Sequence, residues 1–436
     1  MAAGALVQTS KNQQGLALLV LVILIILAFV TYSLSGLSLN QVKAEQVKKT
    51  RIALKKAKQA LLSYAVNYPE ITPANRGPGY LPCPDLNDTG VSLVNNCKTG
   101  GVPNVGRLPW VTLGVGDLRD SDNEKLWYAV SDNYDYSNSP TVNKINTATT
   151  GTITVKDSSN NMIYDGTSLD AIVAVIIAPG EALTRDDGVV QNRSAANVNA
   201  AIHYLDIHVA SAEDNASFQH GSLDGFIEGE ITDGAGNVIV NDQFIVITYG
   251  EIMDLIHKRV SGEIGNVINN YFAICNDYPE AALFDATGVG PFNSVALSQQ
   301  GVLPVGTALP VNWNTGCAAG ISLPLWVQSE GWHMNTYYQY SYTKAVPLPL
   351  PGIPAANCVT PPPAVVAPAV ECMTVNNTDL PIDNKRALII FAGRALAGQV
   401  RNAAAGMADY FENENNDGDF VFDAAETEDY VWVIAP

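Results

Sequence analysis

The residues best suited to chemistry lie near the C-terminus. Between Glu412 and Glu426, side-chain oxygens fall on alternating positions: Asn413, Asn415, Asp417 and Asp419, with Gly418 between the last two. Hard divalent cations take such oxygens, and a glycine permits the sharp turn of a calcium loop. The twelfth position of such a loop should be a bidentate Glu and is Ala424, so Asp423 or Glu426 would have to substitute. Asn413, Asn415, Asp417, Asp419, Asp423 and Glu426 are therefore the candidate ligands, and calcium is the cofactor they would take. The alternative is a polar turn between a helix and a strand.

The six cysteines are Cys83, Cys97, Cys275, Cys317, Cys358 and Cys372. None lies in a CxxC pair or at zinc spacing from a histidine, so disulfides in an oxidising compartment are expected. Cys83 with Cys97 and Cys358 with Cys372 are close in sequence, which would leave Cys275 with Cys317, but six cysteines allow 15 pairings. The chain holds no GxSxG, HExxH or GxxxxGK[ST] motif. His203 and His208 flank Asp206 at a spacing that puts them on different helix faces. No catalytic residue is assigned, and a non-enzyme is expected.

Charge narrows the partners. The formal net charge is −19 and the pI about 4.5, which argues against nucleic acid, because phosphate binding needs clustered Lys and Arg. A length of 436 residues suits two domains.

The elements that must position these residues begin with an apolar run. Leu16 to Leu39 contains no Asp, Glu, Lys or Arg, and about 20 apolar residues suffice for a bilayer core. A single transmembrane helix over 16–39 in contact with membrane lipid is predicted. Helical pattern continues from Asn40 to Val66, with Val47, Leu54 and Leu61 every seven residues and Leu62 and Ala65 widening the stripe. Lys43, Lys48, Lys49, Arg51, Lys55, Lys56 and Lys58 follow the run, which by the positive-inside rule would leave the body in the cytoplasm. The cysteines favour the oxidising side, and that placement is adopted.

The residues Lys11, Gln13, Gln14 and Gly15 before Leu16-Ala17-Leu18-Leu19 resemble the prepilin-type N-terminus of the type IV pilin and type II secretion pseudopilin superfamily. Leu81-Pro82-Cys83-Pro84-Asp85 and Gly106-Arg107-Leu108-Pro109-Trp110 are similar to a pseudopilin-like group. The resemblance implies a leader over 1–15, cleavage between Gly15 and Leu16 by a prepilin peptidase, methylation at Leu16, and assembly with other pilin or pseudopilin subunits through the N-terminal helix. It also implies a single-pass inner-membrane protein, its body in the periplasm or on the cell surface within a filament. Some members hold calcium near the C-terminus. Val20 stands where the family has the assembly Glu, which resembles minor or tip subunits. The rival reading is an anchored periplasmic binding or adhesion protein, with Trp332, Tyr337, Tyr338 and Tyr340 as exposed binding rings.

The body repeats itself. Tyr64 to Glu70 parallels Tyr271 to Glu280, and Ala174 to Leu183 parallels Ala387 to Leu396. Tyr204-Leu205-Asp206 parallels Tyr410-Phe411-Glu412, and Asp242 to Ile247 parallels Asp429 to Ile434. The expected fold is α+β: a long N-terminal hydrophobic helix, then modules over 40–250 and 251–436. Each module would lay a helix on a small, mostly antiparallel sheet with disulfide-stapled loops.

Overall fold

The computed structural model describes residues 10–71, 76–92, 97, 105–135, 144–164, 171–218, 225–282, 300–303, 317, 320–341, 373–378, 385–399, 401, 407–416, 421–426 and 428–435. The side chains of 10–17 and 31–40 lie outside that set. The fold is α+β, with several small sheets.

Two four-stranded sheets carry it, and both are antiparallel throughout. The first is ordered Val105–Arg107, Trp127–Val130, Ile172–Ala178 and Gln243–Thr248. The second is ordered Gln300–Val302, Thr336–Tyr340, Ala387–Phe391 and Tyr430–Ala435. Each order follows the chain, so the two sheets have the same topology. Ile172–Ala178 and Ala387–Phe391 are continuous apolar runs because they are central strands, covered on both faces and buried at every residue.

A helix precedes each sheet. The last strand of the first sheet turns directly into the central helix, Tyr249–Cys275. Thr248 caps that turn: its hydroxyl accepts the Glu251 N–H, and the Glu251 carboxylate accepts the Thr248 N–H. This reciprocal capping box stops the strand and starts the helix in one residue. Ile252, Ile256, Val260, Ile264 and Ile268 then recur every fourth residue and are all buried. They join one core cluster that also holds Leu54 and Leu61 of the N-terminal helix and Tyr338 and Ile389 of the second sheet. The repeated units therefore share one large core, and each also closes a smaller cluster of its own, around Trp127 and Phe226 in the first half and Tyr337 and Phe422 in the second.

The N-terminal helix runs Ser10–Val66. Its packed stripe is Ala53, Leu54, Ala57, Leu61 and Ala65; alanines there let the backbone approach the sheet, and each buried leucine contributes about 2 kcal/mol. Val47 is not part of it and is 48% exposed.

The expected long hydrophobic helix is corrected. Among the described residues no helix is long and apolar enough to cross a membrane. Past Asn40 the helix turns basic, and from Thr50 onward it packs on the body. The transmembrane assignment over 16–39 and the single-pass inner-membrane localisation are withdrawn because no described helix is long and apolar enough to cross a membrane.

Among the described residues two disulfides are present. Cys83–Cys97 joins the core cluster, with Cα atoms 5.1 Å apart. Cys275–Cys317 ties the end of the central helix to a loop, with Cα atoms 5.4 Å apart. Cys358 and Cys372 lie outside the described residues.

Candidate functional site

The repeated sequence signals converge on a pair of buried acids in each half. In the first half, a 3-10 turn over Ala201–His203 ends where the Tyr204 and Leu205 N–H groups donate to the Ala201 carbonyl. This aims Asp206 at the start of the last strand. Asp206 Oδ2 accepts the N–H groups of Asn241 at 2.6 Å and Asp242 at 3.2 Å. Its Oδ1 accepts from Gln191 Nε2 at 2.8 Å. Asp242 Oδ2 accepts the Asp206 N–H at 2.8 Å and Asn215 Nδ2 at 2.7 Å. Asn215 also pairs with the backbone of Ile227 through both its donor and its acceptor.

The second half repeats this wiring. The Met407–Asp409 turn ends in the same way on Tyr410 and Phe411. Glu412 Oε2 accepts the Glu428 and Asp429 N–H groups, and Asp429 Oδ2 accepts the Glu412 N–H at 2.8 Å. Asn415 Nδ2 donates to Asp429 Oδ2 and to the Asp423 carbonyl, while its Oδ1 accepts the Asp423 N–H. An arginine braces each turn: Arg193 donates to the Gly180 carbonyl and lies over the Tyr204 ring, and Arg401 donates to the Gly393 carbonyl and lies over Tyr410.

Burial governs the charge of these acids. It pushes Asp206 up to about 6, against the pull of its three N–H donors. Asp242 rises well above the ordinary carboxylate value, first by burial and then by the neighbouring Asp206 charge. Burial lifts Asp429 to about 7. Asp206 and Asp242 have no exposed surface. Such a pair can bind a proton and lock two chain segments together; it has no open face to offer a substrate.

The acidic loop does not form the expected arrangement in its described part. Asn415 is buried and its amide is spent on Asp423 and Asp429, so it does not present an oxygen outward. Asn413 Nδ2 donates to Glu426, and the Asp423 carboxylate accepts from Asn377. Asp417 and Asp419 lie outside the described residues. Among the described residues no group of three or more His, Cys, Asp or Glu could hold a metal ion. Gly15 and Leu16, where leader cleavage is expected, lie within the N-terminal helix, and their side chains lie outside the described set.

His203 and His208 do not converge on Asp206. His203 Nδ1 faces the Asn192 N–H, and His208 Nδ1 faces Ser211 Oγ. The rings proposed for adhesion are core: Trp332, Tyr337, Tyr338 and Tyr340 are all buried.

Sequence reasoning missed Asn215, Arg193, Arg401 and the pairing itself, although it matched the segments bearing both acids. It also missed Glu330, which is fully buried between the halves and accepts from Tyr80, Arg76 and the Ile145 N–H. No protein-family model, curated protein or solved structure matches the chain.

Proposed function

We propose that the chain is a structural, pilin-like subunit of a filament, either a type IV pilus or a type II secretion pseudopilus, and catalyses no reaction. The observation that carries this is the division of labour along one helix. Its C-terminal third packs on an antiparallel sheet, while Leu18, Leu19, Ile25 and Phe29, near its start, are 56–70% exposed. An isolated subunit gains nothing from presenting that surface to water; neighbouring helices in a filament would cover it. The prepilin-type residues before Leu16 are consistent with such a role.

The repeated body and Val20 favour a minor subunit over the one that repeats along a shaft. Val20 is 49% exposed and carries no charge to pair with a neighbour's N-terminus. N-terminal sequencing of the protein from cells with and without the prepilin peptidase tests the reading. A chain starting at methylated Leu16 only when the peptidase is present supports it. A chain starting at Met1 in both overturns it.

A further inference from the structure

We propose that the Asp206–Asp242 pair shares one proton at neutral pH, held on Asp242 Oδ1, and that loss of this proton unlatches the start of the first sheet's last strand. The inference does not depend on the filament reading.

Three of the four carboxylate oxygens already accept N–H groups: both oxygens of Asp206, and Asp242 Oδ2. Asp242 Oδ1 is buried and accepts none. It is the one oxygen in the pair that can carry a proton without displacing a hydrogen bond. Two adjacent carboxylates without solvent cannot both ionise cheaply, so one proton is retained.

The surrounding charges do not relieve the pair. Arg185 donates to Asp214 at 2.8 Å and to the Ile202 carbonyl. Arg193 is engaged by the Gly180 and Pro179 carbonyls, by Gln191 Oε1 and by Glu124. Both guanidiniums lower the acids' proton affinity only at a distance. Glu213, on the same lobe, is paired with Lys156 and the Gly225 N–H. Asn215 and Gln191 are neutral donors.

The pair sits at a junction. Asp242 immediately precedes Gln243–Thr248, an edge strand that leads straight into the central helix. Ionising both acids would set like charges against each other where carboxylate-to-backbone N–H bonds join the two segments. The segment would then open locally while the rest of the core stays closed. The second half has the same exchange between Glu412 and Asp429.

Peptide-resolved hydrogen exchange of the full chain from pH 5 to 9, corrected for intrinsic rates, tests this. Protection of the Asp206, Asn241 and Asp242 amides should fall up to tenfold per pH unit once the pair ionises. In Asp242→Asn, a neutral isostere, the slope should vanish while protection at pH 5 is kept. Flat protection in the native chain, or an undiminished slope in the variant, overturns the proposal. Should Asp242→Asn fail to fold, the Asp242 carboxyl carbon-13 shift of the native chain decides: a protonated shift at pH 6 supports it, and an ionised shift at pH 5 overturns it.

Discussion

The Tyr80 hydroxyl donates to Glu330 Oε2 at 2.8 Å, across 250 residues of chain. Arg76 donates to the other oxygen at 3.3 Å, and the Ile145 N–H adds a third bond to the carboxylate. A loop of the first half is thus bound to a buried acid of the second. Glu330→Ala should cost about 3–5 kcal/mol, because it takes the carboxylate away from the buried Arg76 guanidinium. Chemical denaturation would show this as a lower midpoint, and a midpoint within error of the native one would refute the coupling.

The Cys275–Cys317 bridge closes a segment with a sequence separation of 42, against 14 for Cys83–Cys97. Loop-closure entropy predicts losses of about 4 and about 3 kcal/mol respectively when each is removed. Paired Cys→Ser variants, compared by urea denaturation under oxidising conditions, should fall in that order.

Acid stability should depend on His257. It is buried against Trp332, Phe391 and Tyr430, and burial lowers it to about 4. The folded state therefore keeps it neutral while the unfolded chain protonates near 6.5, so stability falls as pH drops from about 6.5 towards 4. His257→Phe should remove on the order of 3 kcal/mol of that loss. A melting temperature that falls equally with pH in both proteins would exclude the histidine as its source.

Asp429 acts in the opposite direction. Its folded value of about 7 lies above the ordinary value of 3.8, so the folded state holds a proton that the unfolded chain releases. Stability then declines as pH rises from about 4 to about 7, by at most about 1.4 kcal/mol per unit. In Asp429→Asn the decline should shrink when thermal unfolding is followed across that range.

Two glycines should respond in opposite ways to alanine. At Gly262, within the central helix, an added Cβ would meet nothing within 4 Å, and Gly262→Ala should stabilise by up to about 1 kcal/mol. Gly301 has φ +153°, and a Cβ there would meet the Ala282 carbonyl oxygen at 1.8 Å. Gly301→Ala should break the bridge between Ala282 and Val302 and lower the melting temperature by several degrees.

Much of the local structure was written in the sequence. The central strands Ile172–Ala178 and Ala387–Phe391 are legible as short apolar runs, and Leu54 and Leu61 as a helix stripe, because side-chain periodicity reflects burial directly. The repeat was legible too, since Asp206 and Glu412 follow aromatic residues in like segments, and Asp242 and Asp429 open like strands. The run Leu16 to Leu39 suggested a membrane span from hydropathy alone, whereas among the described residues no helix is long and apolar enough to cross a membrane.

What the sequence determined by itself was element type, the existence of a repeat, and a cysteine set suited to disulfides. The tertiary structure alone decided which acids meet. Asp206 and Asp242 are 36 residues apart, whereas Glu412 and Asp429 are 17 apart. The asparagines lie at different offsets again, 27 and 14 residues before Asp242 and Asp429. No fixed spacing encodes the motif, because loops of unequal length return the chain to the same place. Sheet registry and the need to satisfy buried polar groups bring the acids together, and those constraints act through space rather than along the chain.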